Sequence, residues 1–537
     1  MILLSKNDAF QWHEREECYI KGYFYNDSQN HEKILQDLLG LEALEDYEKY
    51  IQDLNGEFSI LRETDDFLVA AVDFARSYPL FYSMRDQKLI VSDSPNGILK
   101  LIKEPTVDEI AVRELRIAGT AFGNRTLYQE IQTLGCGEIL YYDKRSGSLT
   151  INEYMSIIQD NQVDRPLEEL VEEADAVYSQ AVLGGLDGLR DRTIVIPLTS
   201  GWWERILVRK LKELGFEKVI CYTYGGLENP EVALARGIAE YYEYPWYFIE
   251  YKAVDWFKWF TGPDYRKYRD YCSQLVTIPN ISEYLAVKAL MEKRMVPADA
   301  IFVNVCFTNI LRGEEMPTTL IQENPPSEDI LRMEILDEIA SNIKWQRRDY
   351  QMIGDYIEDI FNKHADNPAF QEASASWKFR YAYWKERTGK NQTNSRRIYE
   401  MYHYQWRNIQ LEKGILEFWE RVPDAYKYTQ RIQQELDLRY EAELLEYIGI
   451  SGVRAILPTA GLKDFMRSRF PGIYRRLSFL LRANRIKGEY DHHPMLWYNI
   501  LSRREFEHFS DSITNIHGAL SVKYLRDFCK DNNYQIK

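Results

Sequence analysis

Cysteine is scarce. There are six in 537 residues, at Cys18, Cys136, Cys221, Cys272, Cys306 and Cys529, with no Cys-x-x-Cys pair and no metal-type spacing. No metal site and no disulfide framework is therefore expected. Cys221 and Cys306 lie in strand-like apolar runs and read as buried free thiols of a reducing, cytoplasmic protein. Long apolar runs are missing too. No window approaches 18 uncharged apolar residues, so no membrane-spanning helix is expected. The opening MILLSKNDAFQWHE meets its first charge at Lys6, too early for the apolar core of a signal peptide. A positive excess is also absent: Lys and Arg number 67 against 83 Asp and Glu, a net charge of −16. That argues against nucleic acid as the main partner, because phosphate contacts need a basic face. There is no internal repeat and no low-complexity linker, and the acidic runs ALEDYEKY and PLEELVEEAD read as solvated helix faces.

What is present is aromatic: 39 Tyr and 12 Trp, enough for aromatic-rich cores or clefts. The length allows two or three domains. Residues 1–155 read as strands joined by turns, a mixed α+β region with antiparallel sheet. EFSILRETDDFLVAAVDF is two alternating runs around a polar turn, a hairpin pattern, and GEILYYDKRSGSLTINEY repeats it. Helical stretches intervene at 31–50 and 107–117. An amphipathic helix is expected over 165–189, bridging to a different rhythm. Strand 193–198, helix 204–214, strand 218–224, helix 230–243 and strand 246–251 alternate as βαβ units of a parallel sheet. Ligands in such sheets bind at the carboxyl ends of the strands. Beyond Ser282 the chain reads as mainly helical, with one strand in AIFVNVCF and long helices from about 328 to 450. The last 90 residues give a weaker signal.

The loop at the first such carboxyl end is Leu198, Thr199, Ser200, Gly201, Trp202, Trp203 and Glu204. Small residues, hydroxyls and the N–H groups of a helix start are what a phosphate needs, and Thr199, Ser200 and Gly201 supply them. The indoles of Trp202 and Trp203 would fill the volume of a phosphate. Glu204 adds a like charge that costs about 4 kcal/mol at 4 Å with surface-like screening. From the residues alone, a ligand loop and a plain strand-to-helix turn packed by tryptophan are equally good readings.

The order and wording of the two halves resemble the asparagine synthetase family, which joins a class II glutamine amidotransferase domain to an ATP-pyrophosphatase domain. In the first half the resemblance rests on LNGEFSI (Leu54 to Ile60), on DFARSYPLFYS with Asp73, Arg76, Pro79, Leu80 and Tyr82, and on GNRTLYQEIQTLGCGEIL. In the second half it rests on ICYTYGGLENPEVALARGIAEYYEYPWYFIEY, TIPNISEYLAVKAL, MVPADAIFVNVCFTNILRGEEMP and YWKERTGKNQTNSRRIYEMYHYQWRNIQLEKGILEFWERVP. It covers about 1–450. It implies an α/β and α+β chain: a class II glutamine amidotransferase-like, Ntn-hydrolase-like αββα sandwich over 1–160, then a parallel-sheet ATP-pyrophosphatase (adenine nucleotide α-hydrolase-like) domain over 161–450. A helical C-terminal extension over 451–537 would follow.

The resemblance further implies an amide-forming ligase. Such an enzyme uses ATP and Mg2+ to adenylate a carboxylate, and ammonia or an amine then attacks. A small carboxylate or amine is the implied substrate, and a homodimer the assembly to look for. Position 2 is Ile2 and the first cysteine is Cys18, so the family's glutaminase thiol is missing. The family's loop Pro-Leu-Ser-Gly-Gly-x-Asp-Ser-Arg, aligned on Pro197, Leu198 and Arg205, puts Trp203 at the aspartate and Glu204 at the second serine. Where relatives carry Pro-Gly-His-Ser-Gly-Asp, this chain has Asn304, Val305, Cys306, Phe307, Thr308 and Asn309. At 408–412, NIQLE replaces something like Leu-Pro-Leu-Trp-Asp. These substitutions fall on loops that converge in the family. They make a catalytically silent binding or scaffold protein the second reading.

Tyr222, Tyr224, Gly225, Asn304 and Asn309 would border the nucleotide pocket. Arg205, Arg387 and Lys390 are the candidate cations, with an exposed helical surface as the plainer reading of Arg387 and Lys390. His492 and His493 read as a surface loop, Asn391 as an incidental sequon, and the aromatics of 241–259 as core and cleft wall.

Overall fold

The computed structural model describes residues 1–537 except 8, 26–28, 86–87, 156–160, 306–308, 315, 322–326, 345, 365, 450–476, 478–480, 482–483 and 536–537, and gives only the backbone at 318, 347, 350 and 369. The chain is mixed α/β. Its first part holds ten strands: β1 (Ile2–Leu3), β2 (His13–Arg15), β3 (Cys18–Phe24), β4 (Gly56–Glu63), β5 (Phe67–Val72), β6 (Phe81–Arg85), β7 (Lys88–Ser92), β8 (Gln132–Thr133), β9 (Glu138–Asp143) and β10 (Leu149–Glu153). They form a six-stranded sheet in the order β10-β9-β5-β4-β3-β2 and a four-stranded sheet in the order β1-β7-β6-β8. Both expected hairpins are present, β4 with β5 and β9 with β10, each antiparallel.

Alternation along the strands builds the layers. In β5, Val69 and Ala71 face helices α1 (His31–Leu39) and α2 (Leu44–Gln52), meeting Ile34, Leu38, Tyr47 and Ile51. Leu68, Ala70 and Val72 face the other way, against Tyr82, Leu89 and Val91 of the four-stranded sheet. That sheet's outer residues Phe81 and Ile90 cover Ile98 of α3 (Pro95–Leu99). The order is a helix pair, two sheets, then a helix.

Helix α4 (Glu109–Ala118) starts at Asp108, whose side chain accepts from the N–H groups of Ile110 and Ala111. It stops at Gly119, where φ is 79°. A Cβ there would stand 2.8 Å from Asn342 Nδ2, so glycine is required by both conformation and space. Glu114 of α4 is buried. It accepts from Phe122 N at 2.9 Å and pairs with Arg125 at 2.5 Å. Burial, opposed by Arg125, lifts its carboxyl from 4.5 to about 7. The unfolded chain therefore sheds this proton near pH 4.5 while the fold keeps it to about 7, and the group subtracts stability as pH rises through that window. Glu114→Gln, which imitates the protonated form, should gain on the wild type by up to about 3 kcal/mol between pH 4.5 and 7.5. Urea midpoints measured across that range check it, and a pH-independent difference would refute the assignment.

After α5 (Leu167–Leu186) comes the parallel sheet. Its strands are β11 (Ile194–Pro197), β12 (Val219–Gly225), β13 (Trp246–Glu250), β14 (Ile301–Val303) and β15 (Gln405–Arg407), in the order β13-β12-β11-β14-β15. Every neighbouring pair is parallel. Helices α6 (Trp202–Glu213) and α7 (Glu231–Tyr241) make the crossovers. The expectation of long helices from about 328 to 450 is corrected here. The region is segmented, and β15 adds an edge strand to the sheet. Three residues are too few for a periodic signal, and pairing with β14 decides their conformation.

One buried apolar cluster runs from Ala9 to Phe528 and joins Tyr23 of β3, the apolar face of α4, the parallel sheet and the described C-terminal residues. The helix Ile516–Asp531 lies against α4, and Tyr128 Oη donates to Asn532 at 2.7 Å. The C-terminal residues described are thus part of the common core.

Candidate functional site

The chain leaves β11 toward β12 on one side and reaches β14 on the other. The crevice between β11 and β14 is therefore a topological switch point, where parallel sheets take their ligands. The loop 198–201 and the residues from Asn304 onward lie at that end. Two bonds pin the loop to β12: Leu198 N donates to Tyr222 O at 2.8 Å, and Thr223 Oγ1 donates to Leu198 O at 2.7 Å.

The donors that a phosphate would use are already engaged. Ser200 N donates to a carboxylate, Glu231 Oε2, at 2.7 Å, and Gly201 N donates to Thr199 Oγ1 at 3.0 Å. The Glu204 side chain folds back over the start of α6 and accepts from its own N–H. It comes so close that a Cβ on Gly201 would stand 2.4 Å from Glu204 Oε2. Burial raises the Glu204 carboxyl, with Arg312 and Arg205 opposing and Glu314 adding to the rise. A helix N-terminus attracts anions, and here both anions are the protein's own.

The indoles stand elsewhere than the sequence suggests. Trp202, half-buried, gives its Nε1–H to Asp437. Trp203 is buried among aromatic rings. It stacks on Tyr178 with ring centres 5.3 Å apart and meets Trp419 edge-on at 5.8 Å. The Arg312 guanidinium lies 3.8 Å from its ring centre. Trp203 Nε1 donates to Glu314 at 2.8 Å, and Arg312 donates to the same carboxylate at 3.0 Å and to Asn309 Oδ1 at 2.5 Å. Arg312 also reaches Gln410 at 3.2 Å. Trp203 is thus where the loops after β11, β14 and β15 meet. Cys306, Phe307 and Thr308 lie outside the described residues.

The remaining candidates are committed to structure. Arg205 is buried and bonds Glu441 at 2.8 Å and Asp437 at 2.7 Å, which holds α6 to the helices Arg431–Tyr440 and Ala442–Tyr447. The exposed-surface reading of Lys390 is corrected. It is buried, in the π-helix Trp384–Gln392, and its ammonium donates to Ala121 O at 2.7 Å, Gly123 O at 2.8 Å and Glu386 at 2.6 Å. Arg387 is half-buried beside His517, whose ring burial holds down to about 4. Asn391 donates to Thr277 at 3.1 Å. Arg76, buried at φ 55°, donates to Leu134 O at 3.0 Å and to Gly389 O at 3.3 Å.

Asn304 is buried at the end of β14, where its side chain meets the Tyr399 hydroxyl. Tyr222 and Tyr399 donate to Glu283, the former at 3.1 Å, and Tyr224 bonds the same carboxyl. Gly225, at φ 134°, leaves room for Asn229 and for the Pro494 carbonyl, which accepts from Gly226 N at 2.7 Å. His493 stacks on Trp497, and His492 is exposed. Among the described residues no group of three or more His, Cys, Asp and Glu could hold a metal ion.

Sequence reasoning missed Glu231, Arg312 and Glu283. Glu231 had a signal: it opens the helix of the next βαβ unit, at the same edge of the sheet as the loop. The other two had none: Glu283 meets Tyr222 and Tyr399, 61 and 116 residues away, and Arg312 joins its near neighbours Asn309 and Glu314 to Trp203 and Gln410, which lie far off in the chain.

No family model and no curated protein matches the chain. It is similar in structure to an allosteric regulatory enzyme of purine biosynthesis, at 10% identity and a TM-score of 0.18, over 44% of this chain and 60% of that one. It is also similar to the glutamine phosphoribosylpyrophosphate amidotransferase of B. subtilis complexed with ADP and GMP, at 11% identity and a TM-score of 0.20, over 55% of this chain and 64% of that one. The chain therefore spans less than two thirds of the length of either.

Proposed function

We propose that this is an asparagine synthetase-like protein, with an amidotransferase-like first half, whose nucleotide loop is closed by its own carboxylates. It acts by binding a ligand or partner, not by turning over ATP. The observation that carries this reading is the Ser200 N–H on Glu231, with Glu204 folded over Gly201. An ionised Glu231 would meet a phosphate at a like-charge cost of about 4 kcal/mol at 4 Å and an effective dielectric of 20, and Glu204 takes the space over Gly201. Among the described residues the cations near Glu204 are already paired: Arg205 is held by Asp437 and Glu441, and Arg312 by Glu314. The residues present therefore do not fit MgATP.

The ligase remains a second reading on one observation, the position of the loop at a switch point between β11 and β14. Titration of the full chain with MgATP, then pyrophosphate exchange with a panel of carboxylates, separates the two. The wild type should give no heat at millimolar MgATP. The double variant Glu204→Ser with Glu231→Gln should bind pyrophosphate with a Kd of about 1 mM or tighter, worth about −4 kcal/mol. Micromolar MgATP binding by the wild type, with carboxylate-dependent exchange, would replace this reading by the ligase.

A further inference from the structure

The parallel sheet ends on β13, which pairs with β12 and, among the described residues, with no strand beyond it. The ladder uses every second residue of β13. Pro245 O accepts from Cys221 N at 2.8 Å, and Tyr251 N donates to Gly225 O at 2.7 Å. By the same alternation Tyr247 and Ile249 turn to β12. Trp246, Phe248 and Glu250 therefore point their N–H and C=O groups off the edge of the sheet, and among the described residues no loop bonds them.

A free edge is a template for another strand, and proteins blunt it with short strands, lysine, proline or a bulge. The other outer strands are short or polar: β1, β2, β8 and β15 hold two or three residues, and β10 carries Thr150, Asn152 and Glu153. In β13 the run Trp246, Tyr247, Phe248, Ile249 has no lysine and no proline, and its register with β12 is unbroken. Trp246, Tyr247 and Phe248 are half-buried. The ring partner of Phe248 among the described residues is its own neighbour Trp246, 6.3 Å away and 10° from parallel. Val254 and Phe257 are exposed on the helix Ala253–Thr261 just past the strand, so apolar surface continues beyond it.

We infer that a second copy of this chain pairs with β13, antiparallel, across a two-fold axis at Phe248, and joins the two five-stranded sheets edge to edge. The strand is complementary to itself in this register. Phe248 meets Phe248 of the second copy, and Trp246 meets Glu250 on either side, so every outward N–H finds a C=O. The two Phe248 rings pair at the axis, and each Trp246 is diagonal to the opposite Phe248. The ends match in charge. Glu243, which meets Lys212 before the strand, has its side chain 80% exposed, and Lys252, just after the strand, has its own 60% exposed. Antiparallel pairing sets the Glu243 end of one copy beside the Lys252 end of the other. Such an interface uses the same patch twice and closes, so no fibre grows from it. The pairing does not depend on the closed loop, and MgATP binding would leave it standing.

The test measures the mass of the full chain by sedimentation equilibrium over a concentration series. The wild type should reach twice 63.6 kDa. Phe248→Lys, which puts a charge at the axis, should raise the dimer's Kd at least about thirtyfold, as loss of a central interface aromatic does, with circular dichroism to check that it folds. Should it fail to fold, cysteine placement carries the test. With a short bismaleimide, Phe248→Cys should be joined to its copy more than the wild type is. Glu250→Cys should not, because this register sets the two Glu250 positions about 14 Å apart along the strands. A monomer at every concentration, a dimer indifferent to a folded Phe248→Lys, or cross-linking at Glu250 and not at Phe248 overturns the inference.

Discussion

Arg396→Met is expected to lower the unfolding free energy by about 3–5 kcal/mol, the usual cost of removing one member of a buried ion pair. Arg396 and Glu57 are both 0% exposed and bonded to each other. Glu57 also accepts from Ser77 Oγ at 2.6 Å, from Tyr25 Oη at 3.3 Å and from Tyr23. The guanidinium lies 4.0 Å from the centre of the Trp406 ring. Methionine would keep much of the contact with Trp406 and leave the carboxylate buried without a cation. The loss should therefore come from electrostatics, and the double variant Arg396→Met with Glu57→Gln should recover part of it. Glu57 belongs to β4 of the six-stranded sheet, and Trp406 to β15 of the parallel sheet. The pair thus ties the two halves together, and urea unfolding followed by tryptophan fluorescence should move as one transition. A cost below about 1 kcal/mol would place the pair among those that contribute little.

Much of this architecture could be read from residue order. The β4–β5 hairpin announced itself by alternation around a polar turn, and β11, α6, β12, α7 and β13 by strands and helices of ordinary length in turn. These signals are local, set by a period of 2 or 3.6 residues, and they were enough to put the loop 198–204 at a carboxyl end. What the loop does was not local. The carboxylate on Ser200 N comes from Glu231, one βα unit later, and Glu204 fills the helix start by turning back on its own chain. Lys390 looked like an exposed helical charge because nothing nearby in sequence shows the carbonyls of Ala121 and Gly123 that surround it. Likewise β15 is three residues long, and it is a strand because β14 offers an edge. Period reveals elements. Partners far apart in sequence reveal sites.

Trp203→Ala should destabilise the protein by about 3–5 kcal/mol, as large buried aromatics do when truncated. Trp203 is 5% exposed. It holds Tyr178 on one side, Trp419 edge-on and Arg312 over its ring, and it donates to Glu314. Trp203→Phe keeps most of the ring contact and loses the bond to Glu314, which should cost about 1–3 kcal/mol. The pair of variants also decides what closes the loop. If the indole fills the phosphate's volume, as the sequence alone suggests, Trp203→Ala should admit pyrophosphate with Glu204 and Glu231 in place. The geometry predicts otherwise. The indole is packed on Tyr178, Trp419 and Arg312, and the two carboxylates take Ser200 N and the space over Gly201, so a folded Trp203→Ala protein should stay silent to pyrophosphate while Glu204→Ser with Glu231→Gln responds. Calorimetry on both variants, below the melting temperature of the weaker, gives the answer. Binding by Trp203→Ala alone would return the closure to tryptophan and leave the carboxylates as ordinary caps.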